Sequence, residues 1–246
     1  MSQVDNAILD ALTHVAFPKG FVQAEPSSVV TIDNVTYPVW RADALVVGSG
    51  AAGLRAAVEL QRRQQNVLLA TAGLYMGTSA CSGSDKQTLF TAATAGTGDN
   101  FIALAEALAS GGAMDLDTAY VEAVGSLHTL GGLQYLGLEL PEDRYGAILR
   151  YQTDHDEAGR ATSCGPRTSR LMVKVLLGEV KRLGIPVMTA EELPDAEEKR
   201  STAHPFAKTE TKANACRGVI LDAVFGIGLS RNVEGAYKKL IDWING

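Results

Sequence analysis

Six residues, Gly48-Ser49-Gly50-Ala51-Ala52-Gly53, are spaced for one piece of chemistry, the holding of a diphosphate. Leu45, Val46 and Val47 make a short apolar strand before them. An apolar-periodic helix, Ala51 to Gln64, follows. Gly48 allows the tight turn, Gly50 lets backbone approach an anion, and Gly53 lets the helix pack close to the strand. The helix N-terminus adds free N–H groups and the positive end of a dipole. Three glycines at this spacing mean little alone. With a strand before and a helix after, they read as an ADP-binding turn, with Gly48, Ser49, Gly50, Ala52 and Gly53 as its contact residues.

Other reactive side chains are sparse. His155 stands in Thr153-Asp154-His155-Asp156, where flanking carboxylates favour its protonated form and suit proton transfer. A solvated loop histidine would look the same. Arg160, Arg167 and Arg170 form a basic group before a helix. They suit phosphates or a substrate carboxylate, and equally suit bridging to Asp154, Asp156 and Glu157. His128 falls on a helix as a structural residue, and His204 sits in a polar linker. Cys81, Cys164 and Cys216 are odd in number and far apart, as reduced thiols would be, and no Cys/His cluster suggests a metal. The net charge of −6 argues against nucleic acid and anionic membrane as partners. No apolar run approaches a membrane span, and the N-terminus lacks a signal-peptide core, so a cytoplasmic location without membrane insertion is expected.

The elements that must position these residues divide the chain into four parts. Residues 1–40 are a lead-in: a helical turn or two over Ile8–Val15, then a hairpin from Ser28 to Trp40 about Asp33-Asn34. Residues 41–190 form the main α/β domain. Its first unit is a strand Ala42–Val47, a helix Ala51–Gln64 and a strand Asn66–Ala70. A small-residue loop, Gly73 to Gly98, is long enough to be functional. Helices follow at Asn100–Ser110 and Asp115–Leu136, the second with Asp115 or Asp117 as N-cap. Glu139 to Arg167 reads as irregular. A helix then opens at Thr168 or Ser169 and ends at Gly184, before a buried strand Ile185–Met188. Residues 191–215 are a charged polar linker. Residues 216–246 hold a strand, Gly218–Phe225, a Gly226-Ile227-Gly228 turn and a helix Glu234–Ile244.

Three segments carry a resemblance: ADALVVGSGAAGLRAAVEL, GLYMGTSACSGSDKQTLF and YQTDHDEAGRATSCGPRTSRLMVKVLLGEVKRLGIPV. From about Tyr37 to Val187 the chain resembles the flavoprotein subunits of the succinate dehydrogenase and fumarate reductase family. The resemblance implies an incomplete Rossmann-like FAD-binding domain, with a central parallel sheet and flanking helices. It implies that Ser79, Ser82, Gly83, Ser84, Asp85 and Lys86 line the cofactor. No histidine lies in Gly73–Gly98, where covalent attachment would fall in that family, so FAD is expected to be held non-covalently. The implied substrate is a small dicarboxylate or enoate reduced by hydride from the flavin. A partner subunit or a second copy of the chain is the implied macromolecular contact. The family's capping domain and catalytic arginine and histidines lie beyond the matching stretch, so little or no turnover is expected of this chain alone.

One departure falls inside the match. The family pattern places Glu where Ala72 stands, at the end of the second strand. A carboxylate there binds ribose hydroxyls, and its loss costs on the order of 1–3 kcal/mol, or roughly ten- to hundredfold in affinity. A second resemblance covers about the last 30 residues, RGVILDAVFGIGLSRNVEGAYKKLIDWING, which is similar to the NAD(P)H-hydrate epimerase domain. It implies a reaction-centre Asp222 beside a monovalent cation, with Gly226, Gly228 and Arg231 at a phosphate. A strand-end carboxylate capping the next turn is the plainer reading of Asp222. Three functions therefore stand: an FAD-binding oxidoreductase domain, an epimerase-like isomerase fragment, and a non-catalytic nucleotide-binding module.

Overall fold

In the computed structural model the described residues are 14–32, 34–81, 86–92, 99–153, 156–189 and 221–222, with only the backbone of Ile32, Val35, Leu221 and Asp222. The elements begin with β1 (Ser28–Ile32), β2 (Val35–Val39), β3 (Ala44–Val47), α1 (Ala51–Arg62) and β4 (Val67–Thr71). Then come α2 (Thr78–Cys81), β5 (Leu89–Phe90), α3 (Phe101–Ala109) and α4 (Leu116–Tyr135). The chain continues with β6 (Tyr151–Thr153), β7 (Asp156–Thr162), α5 (Thr168–Arg182), β8 (Val187–Thr189) and β9 (Leu221–Asp222). The expected helix 234–244 and the linker 191–215 lie outside the described residues. So does most of the expected Ile8–Val15 turn.

The chain divides into two compact units, Met1–Phe17 with Ser82–Leu176, and Pro18–Cys81 with Leu177–Gly246. The sequence reading groups 41–190 as one partial FAD-binding domain. The second unit holds a four-stranded sheet in the order β8-β4-β3-β9, every pairing parallel. In chain order that is 3-2-1-4, the first four strands of the 3-2-1-4-5-6 order of a doubly wound dinucleotide fold. β4 and β8 extend the sheet to one side of β3, and β9 lies on the other. The direction of winding therefore reverses at the C-terminal end of β3, where such folds bind ligands. Leu221 and Asp222, read from sequence as part of a separate fragment, form this fourth strand, with Asp222 in register with Val47.

Apolar runs build this sheet. Val46, Val67, Leu69 and Val187 are each at most 1% exposed, as expected of parallel strands covered by helices. α1 packs on β3 and β4 and buries Gly53, Leu54, Ala57 and Val58, a stripe at helical spacing. Each fully buried Leu or Val contributes about 1.5–3 kcal/mol. α5 ends as its sequence dictates: Gly184 adopts φ +64°, and the Ile185 amide bonds Val180 O at 3.1 Å. A two-residue turn joins β1 to β2, with Asn34 at φ +62°.

In the first unit, α3 and α4 pack through alanines. Ala92, Leu104, Ala105, Ala119 and Ala123 form their core. Asn100 caps α3, its side chain accepting from the Ile102 and Ala103 amides at 2.9 and 3.0 Å. Asp115 caps α4 in the same way. The three-stranded sheet β5-β7-β6 is a correction to the sequence reading, which leaves Glu139–Arg167 irregular. The physical reason lies in β7, whose residues DEAGRAT carry three charges yet sink into the unit because Arg160 is paired on two sides. No described helix is long and apolar enough to cross a membrane.

Candidate functional site

The glycine turn sits where β3 ends. Gly48 adopts φ +99°, a backbone region that disfavours any side chain, and its amide bonds Ala70 O at 2.7 Å. Gly50 is the N-cap of α1 with extended backbone and no side-chain cap. Ala52 is exposed and Gly53 buried. Ser49 is 3% exposed, its hydroxyl turned inward to Thr71 Oγ1 at 2.8 Å and Gly73 O at 3.1 Å. Its side chain therefore ties the turn to the end of β4, and the hydroxyl is committed there.

The segment Gly77–Ser79 closes on this turn from within the same unit. A Cβ built on Gly77 would lie 3.2 Å from both Cα and N of Gly50. Ser79 Oγ accepts the Ala51 amide at 3.1 Å. Among the described residues nothing bonds the amides of Ala52 and Gly53, which remain as donors at the positive end of α1. A Cβ on Gly50 would meet Ser79 Oγ at 3.5 Å, an ordinary contact, so packing alone does not demand glycine there. The missing side chain leaves backbone bare, and bare amides at a helix N-terminus suit a diphosphate. These features fit the diphosphate of FAD. The end of β4, with Ala72 exposed in the acid's place, does not supply the ribose carboxylate.

The remaining sequence candidates distribute as follows. Ser82, Gly83, Ser84 and Asp85 lie outside the described residues, as do Asp154, His155, His204, Cys216, Gly226, Gly228 and Arg231. Lys86 is exposed and belongs to the first unit. His128 is exposed on α4. The three arginines separate. Arg167 is exposed, and Arg170 is half-buried. Arg160 is 6% exposed, its guanidinium 2.5 Å from Asp99 and 2.5 Å from Asp156. Burial pulls its pKa down, but bonds and charges from Asp99 and Asp156 outweigh that and raise it. Of the two roles open to Arg160, bridging to acids is the one seen. The Cys164 thiol donates to Glu139 O at 3.0 Å, and burial raises its pKa, which makes it a poor nucleophile.

Two participants escape the sequence reading. Gly77 packs closely against the backbone of Gly50, and Thr71 locks Ser49. Only the density of small residues in Gly73–Gly98 hints at the first. A hydroxyl at the end of the second strand is the sole trace of the second.

Comparison with known proteins follows the same outline. The FAD binding domain family model matches residues 43–222. The chain is 24% identical over 178 residues to the 8-methylmenaquinol:fumarate reductase flavoprotein subunit of Wolinella succinogenes. That match takes in 72% of this chain and 29% of the curated protein, so the chain spans about three-tenths of its relative. Among solved structures, Mycobacterium smegmatis Sdh1 in complex with UQ1 superposes with a TM-score of 0.51 at 20% identity. The superposition covers 60% of this chain and 27% of that one. An E. coli quinol fumarate reductase FrdA variant gives 0.50 at 21% identity, over 61% and 26% of the two chains. The likeness in fold and the family match agree with the parallel sheet, its strand order and the glycine turn. The chain belongs to the FAD binding domain family, and its fold is part of that of the succinate dehydrogenase and fumarate reductase flavoproteins.

Proposed function

We propose that this chain holds FAD non-covalently at the Gly48–Gly53 turn, as the cofactor-binding part of an oxidoreductase of the fumarate reductase type. The observation that carries this is the pair of unbonded amides, Ala52 and Gly53, at the point where the sheet reverses its winding. Backbone donors there can each take a diphosphate oxygen without moving. Ser79 adds a third donor. Its oxygen accepts from Ala51, and its own proton can rotate to donate to an anion. Ser49 and Thr71 contribute rigidity, since their hydroxyls bind the turn to β4. Bound FAD would supply two-electron hydride chemistry to a substrate.

The relative's name supports a substrate class and an assembly. A fumarate reductase flavoprotein subunit acts on a dicarboxylate and works beside other subunits, so a dicarboxylate or related enoate and a partner subunit are proposed here. The match covers 29% of that relative, so little turnover is proposed for this chain alone. Reconstitution tests the binding claim. Purified chain mixed with FAD and freed of excess should show a flavin spectrum, and acid precipitation should release all the flavin to the supernatant. A colourless protein that FAD does not stabilise against heat would overturn the reading. Flavin that stays with the precipitate would overturn non-covalent attachment. Stopped-flow assay with fumarate should give little or no reoxidation of reduced flavin by this chain alone, and reoxidation at ordinary enzymatic rates would contradict that part.

A further inference from the structure

The adenosine side of this site ends in an unusual way. In dinucleotide folds a carboxylate about twenty positions past the last glycine takes the ribose hydroxyls, at the end of the second strand. Here β4 ends at Thr71, and the next residue, exposed, is Ala72. A methyl group stands where the acid would be.

Among the described residues, the hydroxyls of Ser49, Thr71 and Tyr75 do not replace it. Thr71 Oγ1 lies 2.8 Å from Ser49 Oγ and 3.2 Å from Gly73 O, while Ser49 Oγ lies 3.1 Å from that same carbonyl. Whichever hydroxyl donates to the other, the second proton goes to Gly73 O. Both protons are thus spent inside the loop, and the Gly73 amide donates back to Thr71 Oγ1 at 3.2 Å. The Tyr75 hydroxyl donates to Pro18 O at 2.7 Å. Met76 folds over Gly73, where a Cβ would come within 2.6 Å of its Sδ, yet Met76 remains 72% exposed. Among the described residues past β4, Ala72 and Met76 present a methyl and a thioether, a soft apolar contact suited to an aromatic base.

We propose that the adenosine subsite of this chain is blind to the ribose diol. This rests on the FAD reading above and deepens it. The nucleotide is gripped by its diphosphate and by apolar contact at Ala72 and Met76. Nucleotides with altered or missing ribose hydroxyls are accepted as well as ADP itself.

Calorimetric titration of the full chain with ADP and with 2′,3′-dideoxy-ADP tests this. The two should bind within about twofold of each other. Ala72→Glu restores an acceptor at an exposed position, so it should tighten ADP by about tenfold and leave 2′,3′-dideoxy-ADP unchanged. The proposal is overturned if ADP binds the unaltered chain about tenfold more tightly than the dideoxy form. It is also overturned if Ala72→Glu gains nothing for ADP, since the ribose then lies elsewhere. Binding of neither nucleotide would sink the FAD reading together with this one.

Discussion

Gly50 and Gly77 face each other across the turn, and the structure assigns them different duties. A methyl on Gly77 would sit 3.2 Å from two backbone atoms of Gly50, closer than carbon packs comfortably. The backbone must give by a few tenths of an ångström, and overpacking of this kind costs about 1–3 kcal/mol. For a chain of this size that is roughly 2–4 °C of melting temperature per kcal/mol, so Gly77→Ala should melt about 4 °C lower. A methyl on Gly50 meets only Ser79 Oγ, at 3.5 Å. Its backbone is extended at φ −70°, so no strain arises. The lost chain entropy of glycine favours alanine by about 0.4–1 kcal/mol, offset by alanine's poorer N-cap propensity. Gly50→Ala should therefore melt within about 2 °C of the parent. If the proposed site is right, it should nonetheless weaken FAD by tenfold or more, about 1.4 kcal/mol, because the methyl would crowd the bare backbone proposed to meet the diphosphate. Thermal melts followed by circular dichroism, alongside flavin fluorescence titration, read both quantities. The reasoning is refuted if Gly50→Ala binds FAD normally, or if it loses stability while Gly77→Ala does not.

Two further substitutions probe the supports of the fold. Arg160→Met would remove the ion-pair partner of the buried Asp156 carboxylate and the Arg160 bond to Asp99, so chemical denaturation should show a loss of about 3–5 kcal/mol; a loss under 1 kcal/mol would mean the clamp is dispensable. Glu179, 5% exposed on α5, accepts from Arg182 at 2.6 and 2.7 Å and from Arg62 at 2.9 Å. The Arg182 bonds, against burial and with help from Arg62, hold its carboxyl below the ordinary range. A depressed folded-state pKa stabilises above the unfolded value, near 4.3, and that contribution disappears as pH falls through the folded value. Glu179→Gln should accordingly cost about 1–2 kcal/mol at pH 7 and progressively less below pH 4, measured by urea denaturation across that range. A difference that stays constant with pH would rule out the ion pairs as its source.

Local signals in the sequence survive into the structure where the physics is local. The turn at Gly48 and Gly50, the caps at Asn100 and Asp115, and the helix stop at Gly184 each depend on residues within a few positions. The hairpin register follows from its two-residue turn. What the sequence hides depends on partners far along the chain. Arg160 finds Asp99 from 61 positions away, and that pairing lets a charged segment become the middle strand of a sheet. Alternation of apolar residues cannot reveal a strand buried in this manner. Ser49 and Thr71 meet across 22 positions, so Ser49 reads as a ligand contact from sequence while its hydroxyl serves the fold. The fourth strand is a short run, Leu221–Asp222, whose place beside β3 comes from the sheet and from nothing in its neighbours. The strand–turn–helix geometry at the glycines was legible, as was the alanine at position 72, because each is a residue type at a fixed offset. The close packing of Gly77 was not, because it is a distance.

The amides of Ala52 and Gly53 can be watched directly. In a ¹⁵N–¹H spectrum of the labelled chain, titration with FAD should move the Gly50–Gly53 resonances more than any others, with Ala52 and Gly53 shifting downfield as they bond the diphosphate. If those resonances stay fixed while FAD binds, or if FAD moves no resonance at all, the turn is not where this chain holds its cofactor.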